Sequence, residues 1–349
     1  AYVITTSLYA FAFGSYGATL LPETAEWFAS HALITASIVI ITLLNVLSAK
    51  LIAAAEDYVV AAKIFILVGF VAIALTQTVL SASAPSEWES PGSLIAGGML
   101  IFVAYEGFEL IANSSKDVRN PERAIPQALY TSVLFTIALY MLVAVSTVGL
   151  LSAQEITDAA DFALAEAAEQ IWSGAGFTII VIAAILSTAS AINATLYGTA
   201  RLSVVIALDG EAPSALENKI AGKPLFGLFI TAGLSLIIAN FVPLASISSM
   251  ASAAFLIIFA AVNLANVRLA DRTHSHRFIS MLGAIACIGA LGALLYHVAS
   301  ESPSDLILLA ALLAVTFVGE SSYQKRKALR ERYCLDPEEF ARQREHAAR

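Results

Sequence analysis

The chain has 349 residues and a formal charge of −8, yet only 13% of its residues are charged while 58% are hydrophobic. A soluble domain carries roughly 25% charge. With a mean hydropathy of +0.79 and apolar residues gathered into long, evenly spaced runs, one large water-soluble core is excluded.

About 20 apolar residues in a row cross a bilayer. Ten candidate runs occur, at about 1–21, 31–49, 58–80, 94–113, 127–151, 173–200, 225–242, 244–267, 278–298 and 304–319. They predict an all-α polytopic membrane protein with ten transmembrane helices. The first run ends at Pro22, and Thr5, Thr6 and Tyr9 lie within it. The second ends near Asn45, and KLIAAAED reads as a short connection to the third. The third carries Lys63 about a turn and a half from its start. The stretch 81–93, SASAPSEWESPGS, is a turn-rich acidic loop.

The fourth run is the informative one. It places Glu106, Gly107 and Glu109 inside an apolar stretch. Carboxylates at membrane depth are costly, so they face protein or water and mark functional sites. A glycine beside them lets a helix come undone. Broken membrane helices with polar groups at the break build the substrate sites of many transporters. Ala104, Tyr105, Glu106 and Gly107 are therefore the predicted unwound substrate segment. Freed carbonyls there can hold an ammonium, and Tyr105 can form an aromatic wall. The alternative is a continuous helix in which Glu106 and Glu109 simply pair with neighbours. Glu106 is also a candidate proton carrier, and Glu109, three residues on, a gating or structural acid.

The chain leaves this run through a basic, proline-bounded loop containing Asp117, Asn120 and Pro121. Proline disfavours helix in the residue before it, so Asn120-Pro121 is expected to be a structural stop. The fifth run begins after Pro126, which suits a first helical turn. Residues 152–172 predict one amphipathic outer helix, a candidate lid. The sixth run is too long for one crossing at 1.5 Å per residue, so it should tilt or continue past Arg201. Asn193 and Thr195 in that run are candidate substrate-side residues. Packing is the commoner use of small polar residues between membrane helices.

Basic residues occupy every second loop: Lys50; then Lys116, Arg119 and Arg123; then Arg201, Lys219 and Lys223; then Arg268, Arg272 and Arg277; and finally the tail. The intervening loops hold acids and no Lys or Arg. By the positive-inside rule the basic loops and the C-terminus are cytoplasmic, in a multi-pass protein of the cell membrane. The negative net charge then belongs to the outer face and implies no nucleic-acid partner. Cys287 and Cys334 sit in different settings and read as unpaired. No metal-ligand spacing, cofactor motif or P-loop is present, and no H-E-x-x-H cluster of a membrane enzyme. The chain starts with Ala inside an apolar run, so upstream sequence is expected.

FVAYEGFELIANSSKDVRNPERAIPQAL (102–129) resembles the amino acid–polyamine–organocation superfamily of permeases, through an interrupted helix followed by Asp117, Asn120, Pro121 and Pro126. Three further stretches agree. NVLSAKLIAAAEDYVVAAKIF (45–65) contains Lys63 as the family's fifth-helix lysine. INATLYGTARLSVVIALDGEAP (192–213) carries Arg201 and Asp209-Gly210, and FLIIFAAVNLANVRLADR (255–272) looks like a tenth helix. The match runs over 1–319 in one register, so the ten runs correspond to the family's third to twelfth helices.

The resemblance implies a LeuT-type inverted-repeat fold of five plus five helices and two more, N-terminally incomplete. Residues 1–80 would be the remainder of the first repeat, 94–267 the second, 278–319 the last two helices and 320–349 a charged cytoplasmic tail. It implies secondary active transport of amino acids by alternating access. Lys63 would sit where sodium-coupled relatives bind a cation. A lysine there implies proton coupling or exchange, against the alternative of an ammonium snorkelling to the membrane edge. Arg201 would anchor a gate or a helix C-terminus, and by the family's third-helix register Thr5, Thr6 and Tyr9 would reach the substrate. The implied partners are an amino acid substrate and membrane lipid. Two other readings stand beside this one: a transporter of polyamines or other organic cations, and a truncated permease that does not transport.

Overall fold

A computed structural model describes residues 1–22, 26–47, 49–77, 90–113, 118–217, 225–301 and 303–334. Among them the regular structure is helical, with no strand. The helices are α1 (Tyr2–Ala18), α2 (Glu26–Leu47), α3 (Ala49–Gln77), α4 (Pro91–Leu100), α5 (Leu110–Asn113), α6 (Pro121–Leu150) and α7 (Ala153–Ala159). They continue as α8 (Ala163–Ile171), α9 (Gly176–Leu208), α10 (Leu225–Phe241), α11 (Leu244–Thr273), α12 (Arg277–Glu301) and α13 (Pro303–Cys334).

Among the described residues seven segments are long and apolar enough to cross a membrane: 27–47, 56–77, 121–150, 176–208, 244–273, 277–301 and 303–325. The other three predicted runs fall short individually. α1 and α10 have 17 residues each, and the fourth run is broken after the 10 residues of α4. The burial pattern separates centre from rim. In α11 56% of the most apolar window is buried inside the protein, against 11% in α6 and 6% in α13. The rim helices turn large apolar side chains outward, such as Phe65, Tyr130, Ile285 and Phe317. A bilayer is the medium in which such surface costs nothing.

α1 lies at the centre, packed against α2, α9, α10 and α11. On one flank its Ala10 joins Ile34, Ile38, Ile192, Leu196 and Leu228 in a buried cluster. On the other its Ile4 meets Val103, Ile247, Leu256 and Leu294. A third cluster, with Phe70, Val181 and Ala168, binds α3 and α8 to α9. α8 approaches α9 very closely: a Cβ on Gly176 would lie 2.0 Å from the Ala168 carbonyl oxygen.

Several boundaries differ from the sequence reading. The KLIAAAED connection is helical: α2 ends at Leu47 and α3 starts at Ala49. Glu56 therefore lies within α3, and Lys63 sits about four turns from its start rather than one and a half. α6 begins at Pro121 with Asn120 outside the helix, several residues before the expected start, and Pro126 lies inside it. Asn120 takes the left-handed conformation, φ 51°, ψ 58°, which frees Pro121 to occupy the first helical position. The outer stretch forms two short helices where one was expected. The chain turns at Ala160, φ 45°, between α7 and α8. α7 starts with a capping box in which Ser152 and Glu155 satisfy each other's backbone amides. α9 does run past Arg201, as a single helix of 33 residues.

Candidate functional site

The fourth run is broken where the carboxylates predicted it. α4 ends at Leu100, a single 3-10 turn covers Phe102–Tyr105, and Glu106 is extended with φ −66° and ψ 157°. Gly107 has φ 113°, a conformation that side-chain-bearing residues rarely adopt. The chain then resumes as the single turn of α5.

The break is held by other helices rather than left open. Ser252 of α11 donates to the Leu100 carbonyl at 3.0 Å and accepts from the Val103 amide at 3.0 Å. Ser248 donates to the same carbonyl at 3.1 Å. The Tyr140 hydroxyl of α6 donates to the Ala104 carbonyl at 3.1 Å. Of the carbonyls expected to be free for a ligand, that of Ala104 thus has one protein partner already. α5 seats against α9, with Leu110 2.7 Å from where a Cβ on Gly198 would lie.

The acids point into the protein. Tyr9 of α1 donates to Glu106 Oε2 at 3.0 Å. The Gly107 amide donates to Glu109 Oε2 at 3.0 Å. Glu106 Oε1, Glu109 Oε1 and Asn113 Nδ2 are shielded from solvent and have no hydrogen-bond partner. Buried polar atoms of this kind are rare in native proteins, and each calls for an explanation. The residues beside the acids make ring contacts: Tyr105 packs on Tyr140 with centroids 5.2 Å apart, and Phe108 on Phe259 at 5.5 Å. The result is a shielded acidic pair, with aromatic residues beside it, at the interruption of a helix.

The remaining predicted residues lie elsewhere. Thr6 is fully buried in α1 and donates to its own helix at the Tyr2 carbonyl, 2.9 Å away. Thr195 is 2% exposed, packed within α9. Asn193 is bound by protein at both ends of its amide. Its Nδ2 donates to Glu56 Oε2 at 3.0 Å, and its Oδ1 accepts from Asn45 Nδ2 at 2.8 Å. Lys63 is half-buried on α3. Arg201 stacks over the Tyr197 ring at 4.6 Å. Asp117 falls outside the described residues.

Sequence reasoning missed Ser252, Tyr140 and Glu56. The serine-rich stretch SISSMAS in α11 and the acid pair Glu56-Asp57 after KLIAAA were the available signals.

A multi-helix membrane protein in which a helix breaks at shielded polar groups has the architecture of a transporter. The chain belongs to the amino acid permease family, whose model matches residues 1–318. It is similar to an uncharacterized protein of Methanocaldococcus jannaschii, 32% identical over 300 residues, covering 85% of this chain and 68% of that one. It is also similar to the inner membrane transport protein YbaT of Escherichia coli, 27% identical over 332 residues, covering 93% and 76%. Cationic amino acid transporter 3, mitochondrial, of Arabidopsis thaliana is 27% identical over 172 residues, covering 48% of this chain and 28% of that protein. The protein is thus a multi-pass membrane transporter, not an enzyme.

Proposed function

We propose that this protein carries amino acids across the cell membrane by alternating access, as a secondary transporter of LeuT-type fold with its basic end and C-terminus in the cytoplasm. In this reading all ten apolar runs cross the bilayer, the three shorter ones aided by packing against their neighbours. The observation that carries it is the break at Glu106-Gly107. An ordinary membrane helix keeps every backbone bond internal, and opening one is tolerated only where protein or a water-lined cavity satisfies the freed groups. Here Ser252 and Tyr140 do so, which leaves Tyr105, Glu106 and Gly107 to face the substrate.

Transport is proton-coupled or an exchange, with Lys63 supplying a fixed or exchangeable positive charge in place of a metal cation. Counterflow of radiolabelled amino acids in proteoliposomes tests the reading. If no amino acid exchanges while the protein is folded, the reading fails. Lys63→Ala should abolish the pH dependence of uptake, and its survival would remove Lys63 from coupling.

A second reading shares the site and changes the cargo. The partnerless oxygens of Glu106 and Glu109, beside aromatic residues, favour an ammonium or guanidinium group. Polyamines or other organic cations would then compete with amino acids in the same counterflow assay.

A further inference from the structure

α13 is longer than a membrane crossing needs. Its apolar part ends at Lys325, and the helix runs on to Cys334. Near that end it reaches the turn after α9, the Asp209-Gly210 element that the substrate site does not use.

The turn is built by the end of α9. Gly210 takes the left-handed conformation, φ 74°. Its amide donates to the Ala207 carbonyl at 2.8 Å, and the Glu211 amide to the Ile206 carbonyl at 3.0 Å. These two bonds form a Schellman motif, which closes best on a glycine. They engage the amides of the turn with α9 and leave its carbonyls to other partners. The Tyr323 hydroxyl of α13 donates to the Ala212 carbonyl at 2.7 Å, and the Gly210 carbonyl lies 3.3 Å away as a second acceptor. A hydroxyl has one proton to give, so the shorter bond dominates. Gln324 donates to Glu211 Oε2 at 2.7 Å, and Lys327 to Glu211 Oε1 at 3.3 Å. The Lys327 ammonium also lies 3.4 Å from where a Cβ on Gly210 would be, so the helix rests directly on the turn. The Lys327–Glu211 pair is partly exposed and adds little by itself. Tyrosines at the ends of spanning helices ordinarily offer their hydroxyls to lipid headgroups. Here the hydroxyl is engaged with protein.

The contact matters because of what each side carries. α13 packs on α11 and α12. Near its start Asp305 accepts from Ser246 of α11 at 2.7 Å, and Leu309 is buried with Val103 and Ile247. α11 and α12 hold α4, before the break in the fourth run, while α9 holds α5, after it. α1 packs on both α9 and α11, but packed helix faces can slide by small amounts. A hydrogen bond to a turn is directional and breaks instead. α13 is thus fastened to one side at Asp305 and to the other at Tyr323, about 27 Å further along the helix.

We propose that Tyr323 is a latch: by docking α13 on the turn after α9, it holds the two sides of the broken span in the arrangement seen here, and it lets go when they shift. Its role in transport rests on the permease reading; the latch itself does not. Tyr323→Phe tests it, because only the hydroxyl is lost. Hydrogen exchange is followed in lipid nanodiscs on peptides covering the break, 102–109, and the turn, 209–213. In Y323F both should exchange about fivefold faster than in the unmodified protein. Ser322→Ala, at an exposed neighbour on α13, should match the unmodified protein. A turn that loosens while the break does not makes Tyr323 a local cap and overturns the proposal. An unchanged turn, or a response to S322A as large as that to Y323F, overturns it too. Should Y323F not fold, Glu211→Ala removes the side-chain half of the contact and should speed exchange at the break about twofold; no change there also overturns the proposal. Counterflow of a radiolabelled amino acid mixture, run in parallel, separates the two claims. A break that responds without counterflow refutes the permease reading and leaves the latch standing. Counterflow with an unresponsive break does the reverse.

Discussion

Tyr9 and Glu106 meet at 3.0 Å across 97 residues of sequence. The pair joins the central helix α1 to the broken span. It gives Glu106 a partner on one oxygen and leaves the other bare. Tyr9→Phe removes that partner and leaves a buried carboxylate with neither oxygen satisfied, at a cost of about 1–3 kcal/mol. The expected outcome is at least a roughly tenfold fall in the ratio of maximal counterflow rate to KM. A Y9F protein with unaltered kinetics would mean that Glu106 stands apart from the substrate.

Gly107→Ala should destabilise through the backbone alone. No atom lies within 4 Å of the Cβ that would be added, but φ is 113°. Such a conformation costs a residue with a side chain about 1–3 kcal/mol. Gly97→Ala provides the contrast. It too adds a methyl to open space, but within α4 and with a helical φ, so it should be neutral or stabilising by up to about 1 kcal/mol. Thermal unfolding in detergent micelles would show opposite shifts for the two variants.

Ser252→Ala should cost more than Ser248→Ala. The first strands the Val103 amide and removes a donor from the Leu100 carbonyl. The second removes only a donor that Ser252 duplicates. An orphaned buried amide costs about 1–3 kcal/mol. Equal unfolding temperatures for the two variants would contradict the assignment of Ser252 as the clamp.

The junction between α8 and α9 should loosen in acid. Glu169 accepts from the amides of Phe177 and Gly174, and these bonds hold its carboxyl below the ordinary range. A group whose folded pKa is depressed stabilises fully above its unfolded value, about 4.3 for Glu. That contribution is lost as pH falls through the folded value. Proteolytic nicking of residues 172–177 should therefore rise below about pH 4 in the unmodified protein. Glu169→Gln should already be nicked faster at neutral pH. Equal nicking of the two proteins at neutral pH would show that the cap contributes nothing.

The broken span was legible because two local signals coincide, a pair of acids and a glycine inside an apolar run. The length of α9 was legible for a similar reason, since apolar residues simply continue past Arg201. Glu56 was not legible as a hydrogen-bonded group. A charged residue eight positions from the start of a helix looks solvated until the facing helix supplies Ser190 and Asn193, and that pairing is set by tertiary packing 134 and 137 residues away. The start of α6 was misplaced because its first turn, PERA, is polar and exposed, so the apolar pattern begins later than the helix. Thr6 and Asn193 have the composition of binding residues. Only the direction of their hydrogen bonds shows that protein already occupies them.

The two stumps of the broken span are fastened to different partners. α4 and the first half of the turn after it lie on α11 and α12, while α6 holds the Ala104 carbonyl in its second half and α5 lies on α6 and α9. If those two groups shift against each other, the slack must be taken up in the turn and the two residues after it, Val103 to Gly107. The stretch that yields is also the stretch that bears the unpartnered carboxyl oxygen of Glu106. A ligand gripping Glu106 would therefore be pulling on the joint itself, with no lever needed to carry the message from pocket to hinge.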